Sequence, residues 1–144
     1  MINLTQLILK DIAEELEIGM RAFIHKETHK LIYVPDENKF DAIDFEPWEE
    51  DLEHLEEYIH EYFEIEKWSS HEGYNMMLEF AEQLESDNPL QDQLIEALNK
   101  KKPFREFNFI IHDSGDFREE WFAFKSTWQQ NYVERQLKDF FRTE

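Results

Sequence analysis

The hydrophobic positions in the N-terminal half of this chain repeat with two different periods. Apolar residues recur every three or four positions from Leu4 to Leu16, which predicts a helix begun by Asn3 or Thr5. Elsewhere apolar and polar residues alternate, which is typical of half-buried strands. Three short strands are predicted in this way, over residues 20–26, 31–34 and 62–68.

A tight turn and a longer loop separate these elements. Glu27 to Lys30 joins the first two strands as a hairpin, and we expect His29 at its left-handed position, which Gly would usually fill. A loop follows from Pro35 to Pro47. An acidic amphipathic helix begun by Pro47 then precedes the third strand, in which Phe63 and Ile65 are expected to point inward.

Helical periodicity dominates the C-terminal half. Ser69 with Glu72 forms the pattern of a capping box, Asn88 precedes a Pro at a second helix start, and Gly115 separates two further helices. We expect Ser126 and Thr127 to break the last helix. The predicted inward positions of the first two helices are Tyr74, Met77, Leu78, Ala81 and Leu84, followed by Leu90, Leu94, Ala97 and Leu98.

These elements predict an α+β fold with a small antiparallel sheet of about three strands, packed by amphipathic helices. At 144 residues the chain is expected to form a single domain over 1–144. Residues 1–68 would hold the mixed helix and antiparallel strands, and residues 69–144 would be helical.

The segment from Pro103 to Trp128 carries eight aromatic residues on two predicted helices. One interpretation is a helical hairpin whose aromatic stripes close a core, with Phe122 off the stripe and covered from another side. The other interpretation is that one edge of the set, including Trp121 and Trp128, lines a groove for a partner.

This segment also carries a resemblance. "PFREFNFIIHDSG" followed by "EEWFAFK" is similar to the C-terminal hallmark of the bacterial uncharacterised protein family 0158, and the likeness extends over most of the chain, best over residues 62–128. The family's Gly-Arg-Gly is replaced here by Lys101-Lys102-Pro103, and the Gly after "KET" is replaced by His29. The resemblance implies an α+β domain of unassigned function and brings no catalytic residues with it.

Composition narrows the class of protein. The apolar fraction of 41% argues against a wholly disordered chain, and the lack of cysteine removes disulfides, thiolate metal sites and a Cys nucleophile. No apolar run approaches the length of a membrane span, and the N-terminus reads as a polar-faced helix rather than a signal peptide. We therefore predict a cytoplasmic protein without a membrane partner.

Charge is the second constraint on partners. Fifteen basic and thirty-four acidic residues give a net charge of −19, which argues against direct nucleic-acid binding. Fourteen of the acids and a single basic residue fall between Asp36 and Glu66. This surface is either a solvated face, a docking surface for a basic protein partner, or a mimic of nucleic-acid charge. The candidate interaction residues on it are Glu49, Glu50, Glu53 and Glu57.

A search for reactive groups predicts no catalytic residue, no metal ligand and no cofactor site. The six histidines are scattered, the spacing HExxH is missing, and three unclustered glycines offer no phosphate loop. The only basic cluster, Lys100 to Lys102 with Arg105, is expected to complement a helix end and a carboxylate, or else to form an anion or acidic-peptide site at a helix corner.

Two functional hypotheses follow, and the sequence favours the first. The protein is a non-catalytic interaction module that uses the acidic surface or the aromatic edge of Trp121 and Trp128. Alternatively, it is a small-molecule-binding protein or enzyme with a pocket between the sheet and the helices, to which His25, His71 or His112 would contribute.

Overall fold

A computed structural model describes residues 5–40 and 44–142 and confirms the α+β class. The helices in this part of the chain are α1 (Gln6–Glu17), α2 (Glu49–Tyr58), α3 (Ser70–Gln83), α4 (Pro89–Leu98), α5 (Pro103–His112) and α6 (Phe117–Phe141). The strands are β1 (Met20–His25), β2 (Leu31–Pro35) and β3 (Tyr62–Ile65). Short 3-10 turns at Glu46–Trp48 and Ile59–Glu61 precede and follow α2. The predicted helical positions Asn3 and Leu4 lie outside the described residues.

The chain divides into two compact units. The first unit combines Met1–Lys67 with Gln130–Glu144, and the second is Trp68–Gln129. Residues 130–141 of α6 therefore belong with the sheet. Sequence periodicity had grouped them with the helical C-terminal half, because periodicity does not show which core a helical face joins.

The sheet of the first unit is antiparallel, with β1 in the centre and the order β2-β1-β3. The prediction for His29 is confirmed, since its φ is +64°. Its N–H donates to the carbonyl of His25 at 3.0 Å, and the His25 N–H donates to the carbonyl of Lys30 at 2.9 Å. His29 and Lys30 on one strand thus oppose His25 on the other. This arrangement is a β-bulge, and its left-handed position, which His29 occupies here, is usually taken by Gly.

Helices cover both faces of this sheet. Phe23, Ile32 and Val34 form a buried cluster with Leu55 of α2. Alternation along a strand sends Tyr33 to the opposite face, where the carboxylates of α1 are close enough to act on it. Residues 130–141 of α6 reach this second face too, because Phe140 stacks on Phe63 at 4.2 Å between ring centroids.

The second unit is a helical cluster built on aromatic rings. Phe80 contacts Trp121 edge-on at 5.2 Å between centroids, and Trp121 contacts Phe107 at 4.9 Å. Both predicted helix starts are confirmed, because Ser69 and Glu72 form the complete capping box and the Asn88 side chain accepts from the N–H of Leu90.

Two details of the second unit differ from the predictions. Helix α3 buries Met76 and Phe80 together with Met77 and Ala81, whereas the predicted inward residues Tyr74, Leu78 and Leu84 are only partly buried. Helix α6 runs unbroken through Ser126 and Thr127, because the aromatic residues on either side of them keep the helical period. All four inward positions predicted for α4 are buried.

Candidate functional site

The four candidate residues of the acidic surface lie on α2 and are open to solvent. Glu49, Glu50, Glu53 and Glu57 are all exposed, and α2 buries only Leu55 of its ten residues. The acids of the first turn are stabilised by the positive end of the helix macrodipole, so the presence of Glu49 and Glu50 is explained by the stability of the helix. Glu53 and Glu57 lie beyond that turn, so the macrodipole does not explain their presence.

A groove runs beside this helix and combines carboxylates with apolar side chains. Its volume is about 460 Å³. It is lined by Asp44, Phe45, Glu46, Glu49, Leu52, Glu53 and Glu56. Of the four predicted α2 residues, Glu49 and Glu53 line the groove, and Glu50 and Glu57 do not. Sequence reasoning missed Phe45 and Glu56, although the helical spacing of Leu52, Glu53 and Glu56 could have placed the latter.

The carboxylates of this groove lack a basic side-chain partner within the part of the chain that the structure describes. Within the described residues, Glu46, Glu49, Glu53 and Glu56 form no ion pair with a basic side chain. Glu49 and Glu53 are four residues apart on one helix, a spacing at which like charges repel. A basic ligand would relieve this repulsion.

The predicted aromatic edge is corrected by the structure. Trp121 is only 1% exposed, because its ring is enclosed by Phe80 and Phe107, and it offers no surface to a partner. Trp128 is half-buried and meets Trp68 edge-on at 6.3 Å between centroids. The core interpretation therefore holds for both tryptophans.

The aromatic residues left exposed on the second unit are different ones. Phe109 is 71% exposed, Phe122 is 45% exposed and Phe104 is 37% exposed. The prediction that protein packing covers Phe122 from a second side is wrong, since two cations flank its ring instead. The guanidinium of Arg118 and the ammonium of Lys125 each lie 5.4 Å from the ring centroid.

In the basic cluster of Lys100 to Lys102 and Arg105, the predicted pairing of Arg105 with a carboxylate is confirmed. Its guanidinium donates to the Glu106 carboxylate at 3.4 Å, and both side chains keep contact with solvent. An exposed pair of this kind contributes little to stability. Lys100 to Lys102 are exposed just after the end of α4, where positive charge complements the helix carbonyls.

His25 has a structural role that the sequence did not reveal. Its Nδ1 accepts from the N–H groups of Glu27 and Thr28, both at 3.1 Å, so this nitrogen carries no proton. The proton is on Nε2, which donates to the Glu61 carboxylate at 3.0 Å. The ring thus holds the hairpin turn and joins it to the residue before β3.

The other histidines do not assemble a reactive site in the described part of the chain. His54 Nε2 lies 2.7 Å from the hydroxyl of Tyr62, and burial raises the pKa of that hydroxyl. His71 and His112 are exposed on the second unit, while His25 belongs to the first. No group of three or more His, Asp or Glu residues could hold a metal ion among the residues described.

A second groove follows the outer edge of β2, whereas the alternative hypothesis expected a pocket between the sheet and the helices. It is open and has a volume of about 660 Å³. The sheet edge from Lys30 to Tyr33 forms its centre, and α1, the 3-10 turn before α2 and α2 itself form its sides. Burial, with the charges of Glu15 and Asp11, raises the pKa of Tyr33 from its ordinary value near 10 to about 12.

Comparisons with known proteins leave the family open. A scan against protein-family models, a search of curated proteins and a search of solved structures each returned no match. No helix in the described ranges combines the length and apolar character needed to cross a membrane. The resemblance to uncharacterised protein family 0158, strongest over residues 62–128, therefore stays a prediction.

Proposed function

We propose that this protein is a non-catalytic interaction module that binds a basic, amphipathic segment of a partner protein in the acidic groove beside α2. The single observation that supports this is the composition of the groove: carboxylates that form no ion pair within residues 5–40 and 44–142 line it together with the apolar side chains of Phe45 and Leu52. Lysine and arginine side chains of a ligand would meet the carboxylates, and its apolar residues would cover the two hydrophobic ones.

The alternative, a small-molecule site in the groove beside β2, has weaker support. That groove is open, whereas ligand pockets enclose most of a small molecule's surface. The histidines expected to contribute to it do not line it. We therefore place the proposed function on the α2 groove.

A defined peptide tests the proposal directly. The probe is a fluorescein-labelled helical peptide with one leucine face and one lysine face, and its binding is followed by fluorescence anisotropy. The double variant Glu53→Lys/Glu56→Lys should lower the affinity at least about tenfold, because it reverses charge inside the groove. Binding by the unaltered protein should weaken markedly between low and physiological salt, since exposed charges are screened.

A matched variant separates the groove from the net charge. Glu79 and Glu82 are exposed on α3 with the same three-residue spacing as Glu53 and Glu56. The double variant Glu79→Lys/Glu82→Lys changes the net charge equally and should leave the affinity within about twofold of the original. If both double variants weaken binding alike, or if salt has no effect, the groove is not the binding site.

A further inference from the structure

The outer edge of β2 presents backbone groups that are ready to pair with another strand. The bonded pair of His25 and Lys30 sets the alternation along the hairpin, so Ile32 and Val34 direct their N–H and C=O groups to β1. Leu31 and Tyr33 direct theirs outward. No backbone partner for these outward groups exists within residues 5–40 and 44–142.

The centre of this edge lacks the usual protection against strand pairing. Proteins commonly blunt a free edge with charges, Pro or a bulge. Here such devices occur only at the two ends, as the bulge with Lys30 on one side and Pro35 on the other. Between them, residues 31–34 are Leu, Ile, Tyr and Val, which carry no charge.

The groove along the edge gives an added strand somewhere to place its side chains. Glu15 of α1 and Ile18, the residue after this helix, line one side, and Trp48 and Asp51 line the other. Successive side chains of an extended chain point to opposite faces, so one would meet Glu15 and the next Asp51. Lys30 is the one basic residue in this lining, and it lies at the end of the edge.

We propose that the β2 edge binds an extended, basic segment of another protein by β-strand addition. Main-chain hydrogen bonds to Leu31 and Tyr33 would fix the register of the added strand against β2. Glu15 and Asp51, on the two sides of the groove, would select basic side chains. A second copy of this chain does not fit as the occupant, because each copy carries the same acidic sides and a net charge of −19. This inference goes beyond the proposed function, since the two grooves share no lining residue.

Hydrogen exchange followed by NMR tests the proposal at single amides. The probe is an acetylated and amidated six-residue peptide, Thr-Val-Lys-Arg-Val-Thr, whose adjacent basic side chains point to opposite faces of a strand. On saturation, exchange of the Leu31 and Tyr33 amides should slow at least about tenfold, because they become paired. The amides of Ile32 and Val34 already bond to β1 and should change little.

Two controls identify the mode of binding. A peptide N-methylated at the two residues whose N–H groups face β2 should bind at least about tenfold more weakly, and this comparison needs no change to the protein. The double variant Glu15→Lys/Asp51→Lys should weaken binding of the unmodified peptide to a similar degree. Its matched control is Glu14→Lys/Glu50→Lys, which alters exposed neighbours on the same helices that do not line the groove.

Several outcomes would overturn the inference. These are binding without protection of Leu31 and Tyr33, equal affinity for the N-methylated peptide, and no binding at all. Protection without peptide, together with a dimer by light scattering, would show that a second copy occupies the edge. The variant Glu53→Lys/Glu56→Lys should bind this peptide as well as the unaltered protein does. The experiment therefore distinguishes an error in the function proposed for the α2 groove from an error in the inference about the β2 edge.

Discussion

The side chain of Gln136 pairs with both backbone groups of Glu66, a residue 70 positions earlier in the chain. Its Nε2 donates to the Glu66 carbonyl at 2.7 Å, and its Oε1 accepts from the Glu66 N–H at 2.9 Å. The amide thus imitates a neighbouring strand at the end of β3. Residues 130–141 of α6 are joined to the sheet by this pair as well as by the Phe63–Phe140 stack.

Replacing Gln136 should weaken this attachment. The variant Gln136→Leu loses both hydrogen bonds and should lower the free energy of unfolding by about 1 kcal/mol, since water can partly replace them at this exposed position. Gln136→Glu keeps an acceptor but has no donor for the Glu66 carbonyl, and should also destabilise. Urea unfolding measures both effects. Unchanged stability in Gln136→Leu would contradict the structural role.

The left-handed conformation of His29 gives a second prediction. His29→Gly should be more stable than His29→Ala by about 1 kcal/mol, because Gly adopts a φ of +64° without a Cβ penalty. Both variants lose the ring contact with Phe141, which has a centroid separation of 4.9 Å, so their difference isolates the backbone. Thermal or urea unfolding of the two variants checks it, and equal stability would show that the turn is unstrained.

Trp121 and Phe122 are neighbours in sequence with opposite environments. Trp121→Ala removes a large core side chain of the second unit and should cost about 3–5 kcal/mol of stability. Phe122→Ala removes an exposed ring with two flanking cations and should cost less than about 1 kcal/mol. Urea unfolding followed by circular dichroism compares them. Similar losses in the two variants would be inconsistent with the burial of Trp121.

The raised pKa of Tyr33 leads us to expect that the folded protein loses stability at alkaline pH. Its pKa in the folded protein is raised to about 12, above the value near 10 expected for an unfolded chain. Between these two pH values the unfolded chain releases a proton that the folded protein keeps, so the free energy of unfolding falls as pH rises. The full contribution is present below pH about 10. Urea unfolding near the two ends of that range should show a smaller decrease in Tyr33→Phe than in the unaltered protein, by at most about 2 kcal/mol.

Local signals in the sequence predicted much of the fold. The hairpin with His29, the capping box at Ser69 and the helix start at Asn88 each depend on residues within four positions of one another. Such signals act through sterics and hydrogen bonds that the local chain already contains. These local features can therefore be predicted from the sequence without knowledge of the tertiary structure.

Predictions that depended on packing succeeded less often. Helix α3 has apolar residues on adjoining faces, and only its contacts within the second unit determine that Phe80 rather than Leu84 is buried. The exposure of Glu49 and Glu53 could be predicted from charge alone, but the groove requires Phe45 to lie beside α2. The β2 edge likewise follows from strand order, which hydrophobic periodicity does not encode.

The division of α6 between two units has a consequence for synthesis on the ribosome. Trp68–Gln129 is contiguous, so this unit has its whole sequence available before residues 130–141 emerge from the exit tunnel. The sheet, although translated first, must wait for Val133, Leu137 and Phe141 to complete its buried set. The order of folding is thus expected to reverse the order of translation, and nascent chains halted before residue 130 should leave the earlier unit sensitive to protease.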